Sequence, residues 1–228
     1  MMLTLAEARS YLRTRGFRGA FEKALASYVA GRQTWYLTIE DLTHWVDAPV
    51  AATGLEIRAA RRDDLPHMQR FHARQPAAVL ESWLGADYFF FIALSAGDPI
   101  TYRCVSTRVH PALLDSLALN RDQLFMVDEF TDPPYRRRGI TRQIAIATNA
   151  VLMDHGYRQV IGIHRPDNRD TIAATRAKNI PTVATVRRYR LGPKSWVTYE
   201  AHAGQRSALV TEQTARGKLS RVTGVVTG

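Results

Sequence analysis

Arg136, Arg137, Arg138 and Arg142 gather around Gly139. The stretch reads as an apolar strand over 124–131, a turn with two prolines, a basic loop, and a helix over 139–155. The chemistry that these residue types at this spacing could do is anion binding. The first N–H groups of a helix have no partner within it and point at whatever lies in front. Arginines add bidentate donors and permanent charge. The loop is no Walker P-loop, because no Gly-Lys-Ser/Thr follows. Nor is it a dinucleotide fingerprint, which needs three glycines and an acidic residue about 20 positions on. The plain alternative for the arginines is a solvated helix start.

The elements that must position this loop can be read on either side of it. Residues 5–13 and 17–28 read as two short amphipathic helices broken at Gly16, and 34–39 has strand composition. Asp47, Pro49 and Gly54 mark a linker. Residues 55–58 read as a strand, and a helix opens at Asp63 or Asp64, either of which can cap it, and runs to about Arg74. A short helix over 77–83 follows, then strands 88–94 and 100–107 joined by a hairpin across 96–99. Beyond the helix at 139–155 come a strand over 158–163, a helix over 168–178, and short strands over 184–191 and 196–199 turning at 192–194. Residues 201–228 lose periodicity and read as a weakly ordered extension. The domain reading is therefore an N-terminal extension (1–50), a main domain (55–200) and a C-terminal extension (201–228). Strand, helices, antiparallel strands, then strand–helix–strand–helix and a hairpin make an α+β plan: a mixed, mostly antiparallel sheet flanked by helices.

The loop, Arg136-x-x-Gly139-x-Thr141 after Pro-Pro-Tyr, resembles the pyrophosphate-binding signature of the GNAT superfamily of acyl-CoA-dependent N-acyltransferases. That pattern is Gln/Arg-x-x-Gly-x-Gly/Ala. The order of elements from about 55 to 199 is similar to the GNAT fold as well. The resemblance implies acetyl-CoA or another acyl-CoA as co-substrate, with no metal, and an amine as acceptor. It implies that the strand 126–131, with Val127, Glu129, Phe130 and Thr131, pairs with the pantetheine arm. Arg136, Arg137, Arg138, Gly139, Ile140 and Thr141 would hold the pyrophosphate. Asn168 falls where the family has an Asn beside the CoA arm, though a helix N-cap needs no further role.

Four departures from the pattern carry expectations. Thr141 stands where the family has Gly or Ala, and a branched residue crowds the helix start. Arg137 stands where many members have Gly, so the loop should avoid a left-handed conformation there. Thr175 replaces the tyrosine that often protonates the departing thiolate. Either the thiolate leaves unaided or a tyrosine such as Tyr189 or Tyr199 takes that role. Lys178-Asn179-Ile180 falls where the family has a Gly-Phe pair, and Asn179 can take the left-handed helix-ending conformation of the glycine.

Direct transfer to an amine needs the amine neutral, hence a base. Glu129 is the first candidate, on the strand that should face the acyl group, with Asp128 on the opposite face by alternation. His164 is the second, at the carboxyl end of the neighbouring strand. Each has a plain alternative as a polar residue at the edge of the core or the surface. Cys104 reads as a small core residue, and the spacing of the seven histidines suits no metal.

The net charge of +10 favours polyanionic partners: nucleic acid, anionic lipid, an acidic carrier protein or a phosphorylated cofactor. With one cysteine, no disulfide can form within the chain, and the reading is cytoplasmic. The N-terminal extension is expected to pack on the catalytic unit, to form a homodimer contact, or to use its basic surface, with Trp35, Tyr36 and Trp45 nearby, on an anionic membrane or lipid-linked precursor. Rival functions are nucleic-acid binding on an acyltransferase-like scaffold and acyl transfer from a carrier protein. No DNA-reading motif is visible for the first, and the basic loop suits either donor in the second.

Overall fold

The computed structural model describes residues 30–45, 54–71, 75–109, 117, 119–191, 194–202 and 224–226. The helices expected over 5–13 and 17–28, the linker at Asp47 and Pro49, and most of 201–228 lie outside the described residues. The chain divides into two compact units.

The larger unit comprises Thr38–Ile163 and Asn168–Pro181. It holds β2 (Leu55–Ala59), α1 (Leu65–Phe71), α2 (Ala77–Ser82), β3 (Tyr88–Ser95), β4 (Asp98–Ser106), β5 (Gln123–Thr131), α3 (Ile140–Asp154), most of β6 (Gln159–His164) and α4 (Arg169–Ala177). β1 (Ala30–Asp41) ends in it. The strand order is β2-β3-β4-β5-β6-β1, antiparallel from β2 to β5 and parallel between β5 and β6. The order of elements is the one that the GNAT resemblance implies.

Local chemistry explains the elements. Ala96 (φ 51°) and Gly97 (φ 87°) make a two-residue turn with both central residues left-handed, the kind whose twist matches its strands. The helical stretch expected from Asp63 begins as a 3-10 turn at Arg62–Asp64, and α1 proper starts at Leu65. Of the two aspartates it is Asp64 that serves there. Its carboxylate accepts the Arg61 N–H at 2.6 Å and both Arg58 guanidinium nitrogens at 2.8 Å. Those Arg58 bonds hold its pKa below the ordinary value.

Each sheet face has its own core. On one, Leu42, Phe91, Val105, Leu124 and Val160 pack with Ile144 and Leu152 of α3. On the other, Met68 of α1 and Leu80 of α2 join Trp83, Phe90, Ile92, Tyr102 and Cys104. Each fully buried aliphatic side chain contributes about 1.5–3 kcal/mol. Cys104 is buried and unoxidised, as expected of a core residue. On the β6–β1 side, a Cβ at Gly162 would lie 2.6 Å from the Thr38 hydroxyl, so any larger residue would force Thr38 to move.

The smaller unit includes the Ala30–Leu37 part of β1 with β7 (Thr182–Leu191), β8 (Lys194–Ala201) and β9 (Gly224–Val226), in the order β1-β7-β8-β9. β7 and β8 form the expected antiparallel hairpin. β9 pairs with β8 and has no counterpart in the sequence reading, because three residues carry no period. Among the described residues no helix is long and apolar enough to cross a membrane.

Candidate functional site

β5 and β6 pair as parallel neighbours only over Gln123↔Gln159, Leu124↔Val160 and Phe125↔Ile161. Beyond Phe125 they are no longer paired, while β5 continues to Thr131 still bound to β4. A bulge lies at this point. The partner of Cys104 is Asp128 and that of Val105 is Met126, so Val127 is the extra residue. The 126–131 half of β5 therefore has one strand edge without a neighbouring strand in this unit. Asp132 N–H donates to the Ile100 carbonyl at 2.9 Å, which sets the phase of the ladder. By alternation Glu129 and Thr131 turn their backbone groups to the open edge. Two of these are already engaged: Asp128 Oδ1 accepts the Glu129 N–H at 2.9 Å, and Arg136 Nε donates to the Thr131 carbonyl at 3.0 Å.

The basic loop follows. Pro133–Tyr135 forms a 3-10 turn, Arg136 is extended (φ −67°, ψ 158°), and Gly139 is left-handed at φ 74° as it caps α3. Arg137 has φ 61°. The expectation that the loop avoids a left-handed conformation at Arg137 is thus overturned. The chain must reverse tightly between the 3-10 turn and α3, and φ alternates in sign through Arg136, Arg137, Arg138 and Gly139. Such alternation turns successive N–H groups to one concave side, the geometry of an anion nest. It costs about 1–2 kcal/mol at an arginine. Arg137→Gly should therefore raise stability by about 1 kcal/mol, less the added freedom of the unfolded chain. Urea unfolding checks this; a loss of stability would mean that Arg137 is not strained.

No side chain caps α3, so the N–H groups of Ile140 and Thr141 lack intrahelical partners. Thr141 is the second residue of α3. Its hydroxyl lies 3.3 Å from that of Thr131, which is 2.8 Å from that of Thr101. The arginines divide in their roles. Arg136 stacks over Phe130 at 5.2 Å and pairs with Asp170 at 3.5 Å, so its guanidinium braces the end of β5. Arg138 lies over the Tyr135 ring at 5.4 Å. Arg137, Arg138 and Arg142 are exposed.

Asn168 caps α4, its side chain accepting the Thr171 N–H at 3.2 Å. The Thr175 hydroxyl donates to the Thr171 carbonyl at 2.8 Å. Asn179 ends the helix left-handed, at φ 54°, as expected of an Asn in place of Gly.

The two candidate bases fall in different units. Glu129 and Asp128 take opposite faces of β5. Asp128 Oδ2 accepts the Tyr102 hydroxyl at 2.7 Å and the Gln75 amide at 3.1 Å. Burial, reinforced by Asp128, pushes the Tyr102 hydroxyl well above its ordinary pKa. Glu129 is held by Lys178, whose Nζ donates to both carboxylate oxygens at 2.8 and 2.9 Å. The Lys178 side chain is only 5% exposed. Sequence reasoning missed this lysine as a site residue. The one available signal was a charged residue next to the helix-ending Asn179, on a helix already singled out. His164 belongs to the smaller unit, as do Tyr189 and Tyr199. It is buried, with its ring edge-on to Tyr36 at 5.7 Å, and burial lowers its pKa.

Behind Glu129 runs a buried polar network. Arg103, directly across from Glu129 on β4, donates to Glu40 at 3.0 Å, Asn149 at 2.9 Å and Thr148 at 3.3 Å. Asn149 also donates to Glu40 at 3.1 Å.

No protein-family model matches the chain, and no curated protein does. Solved structures do. A functionally unknown conserved protein from Staphylococcus epidermidis is 9% identical, with a TM-score of 0.54 over 75% of this chain and 64% of that one. The ribosomal-protein-S18-alanine N-acetyltransferase from Escherichia coli is 16% identical, with a TM-score of 0.48 over 67% of this chain and 98% of that one. Aminoglycoside N-acetyltransferase AAC(6')-Iy, solved with CoA, is 21% identical, with a TM-score of 0.45 over 54% and 89%. Likeness at such identities concerns fold alone. The order of elements and the sheet order make a mixed, mostly antiparallel sheet with flanking helices, consistent with the GNAT fold.

Proposed function

We propose that the protein is an N-acyltransferase that moves an acyl group, acetyl in the simplest case, from acyl-CoA to an amine in a ternary complex. The observation that carries this reading is the open half of β5 running directly into the anion nest at 136–141. An extended amide-bearing arm can pair with the Glu129 carbonyl and the Thr131 N–H on the strand edge while its pyrophosphate meets the N–H groups of the loop and of Ile140 and Thr141. Arg137, Arg138 and Arg142 supply neutralising charge. The thioester is then set beside the bulge at Val127. The amine attacks its carbonyl carbon, and N–H groups of β5 stabilise the oxyanion. A free acyl-CoA and an acidic acyl-carrier protein share this chemistry, and the reading takes the free form as donor.

The test is release of thiol from acetyl-CoA in the presence of a panel of primary amines, with mass spectrometry of the amine. The expected result is thiol release matched by an amine heavier by one acetyl group. Binding of acetyl-CoA with no product from any amine class would contradict transfer and leave a ligand-binding module.

A further inference from the structure

Lys178 is the feature of the larger unit that the fold does not explain. Lysine is seldom fully buried, and burying an ammonium is costly unless it is paired. Here it sits at the end of α4, 5% exposed, and spends its donors on both oxygens of Glu129. A leucine would fill the same volume at no electrostatic cost. Glu129 lies on the part of β5 that has no partner strand on its open side, so the ammonium is held against the strand that would carry the acyl donor. One helical turn earlier, the Thr175 hydroxyl is committed to the Thr171 carbonyl and offers no proton. The Glu40 carboxylate also feels the Lys178 charge and is held below its ordinary pKa, against the opposing effect of burial.

We propose that Lys178 receives the departing CoA thiolate, with Glu129 as its proton partner; this rests on the acyl-transfer reading above. The amine lone pair forms the C–N bond as the carbonyl π pair moves to oxygen. When the carbonyl re-forms, the C–S bond breaks and its electron pair goes to sulfur. Lys178 gives that sulfur a proton, and the Glu129 carboxylate takes one from the amine nitrogen. Glu129 then returns its proton to the Lys178 amine along their existing hydrogen bond. The pair is neutral before and after the cycle, so no net charge is left in a poorly solvated place.

The test needs no acceptor. Affinities of CoA and desulfo-CoA are measured by titration calorimetry from pH 6 to pH 9.5 on the wild type, Lys178→Met and the neutral pair Lys178→Met/Glu129→Gln, with circular dichroism to confirm folding. An ammonium at the sulfur favours the bound thiolate and shifts its titration down by about one pH unit. In the wild type, the preference for CoA over desulfo-CoA should therefore grow about fivefold between pH 6 and pH 8.5. It should be flat over that range in the variants. A flat wild-type ratio, or the same rise without Lys178, would overturn the proposal. If neither ligand binds the wild type, the acyl-CoA reading itself fails and this proposal falls with it.

Discussion

Arg103→Met should lower the free energy of unfolding by about 3–5 kcal/mol at pH 7. Arg103 is fully buried and is the principal countercharge of Glu40, which is 4% exposed. Removing it leaves a carboxylate in the core with the Asn149 amide and the Lys178 charge as its remaining help. The loss should depend on pH. Burial alone would raise the Glu40 pKa, but Arg103, Lys178 and the hydrogen bonds outweigh it, so in the folded protein it lies below 4.5. A carboxyl with a depressed folded value adds stability that is present above its unfolded value and disappears as pH falls through the folded one. Without Arg103 the balance tips toward burial, and Glu40 becomes a group that is costly to ionise. The gap between variant and wild type is therefore widest near neutrality and narrows as the pH is taken below 4.5. Urea unfolding at pH 7 and pH 4 measures it. An equal loss at both values would assign the effect to lost packing.

Gly139→Asp should abolish acyl-CoA binding, by about 100-fold or more, at a modest cost in stability. The residue caps α3 with φ 74°, which costs a side-chain-bearing residue about 1–2 kcal/mol. A carboxylate near a helix N-terminus returns about 0.3–1 kcal/mol of that. The same negative charge would lie where the pyrophosphate is expected and repel it. Gly139→Ala carries the strain without the charge and separates the two effects. It should bind several-fold more weakly than the wild type, but far better than the aspartate. Equal affinity for the two variants would show that backbone distortion, not charge, governs the site.

What was legible in the sequence was local. The Pro-Pro turn, Gly139 and the apolar stripe of α3 bounded the loop and its helix to within a residue, because each signal lies within a few positions of the feature that it specifies. The α+β plan and the Ala96-Gly97 hairpin were readable for the same reason. Handedness at Arg137 was not, since arginine has no preference for a left-handed conformation and its neighbours impose it. The parting of β5 from β6 depends on register between strands more than 30 residues apart, which local pattern does not encode. Lys178 and Glu129 are 49 positions apart, and Asn149 and Glu40 are 109 apart. Read singly, Glu40 and Lys178 look like surface charges. Only the fold makes them partners.

The central claim is that the open half of β5 and the loop at 136–141 form one donor site. Isothermal titration of the folded wild type with acetyl-CoA and with CoA tests it most directly, with Gly139→Asp alongside. Saturable one-to-one binding in the micromolar range, lost in the variant, is the predicted result. No heat of binding from either ligand, or affinity unchanged by Gly139→Asp, would contradict the account.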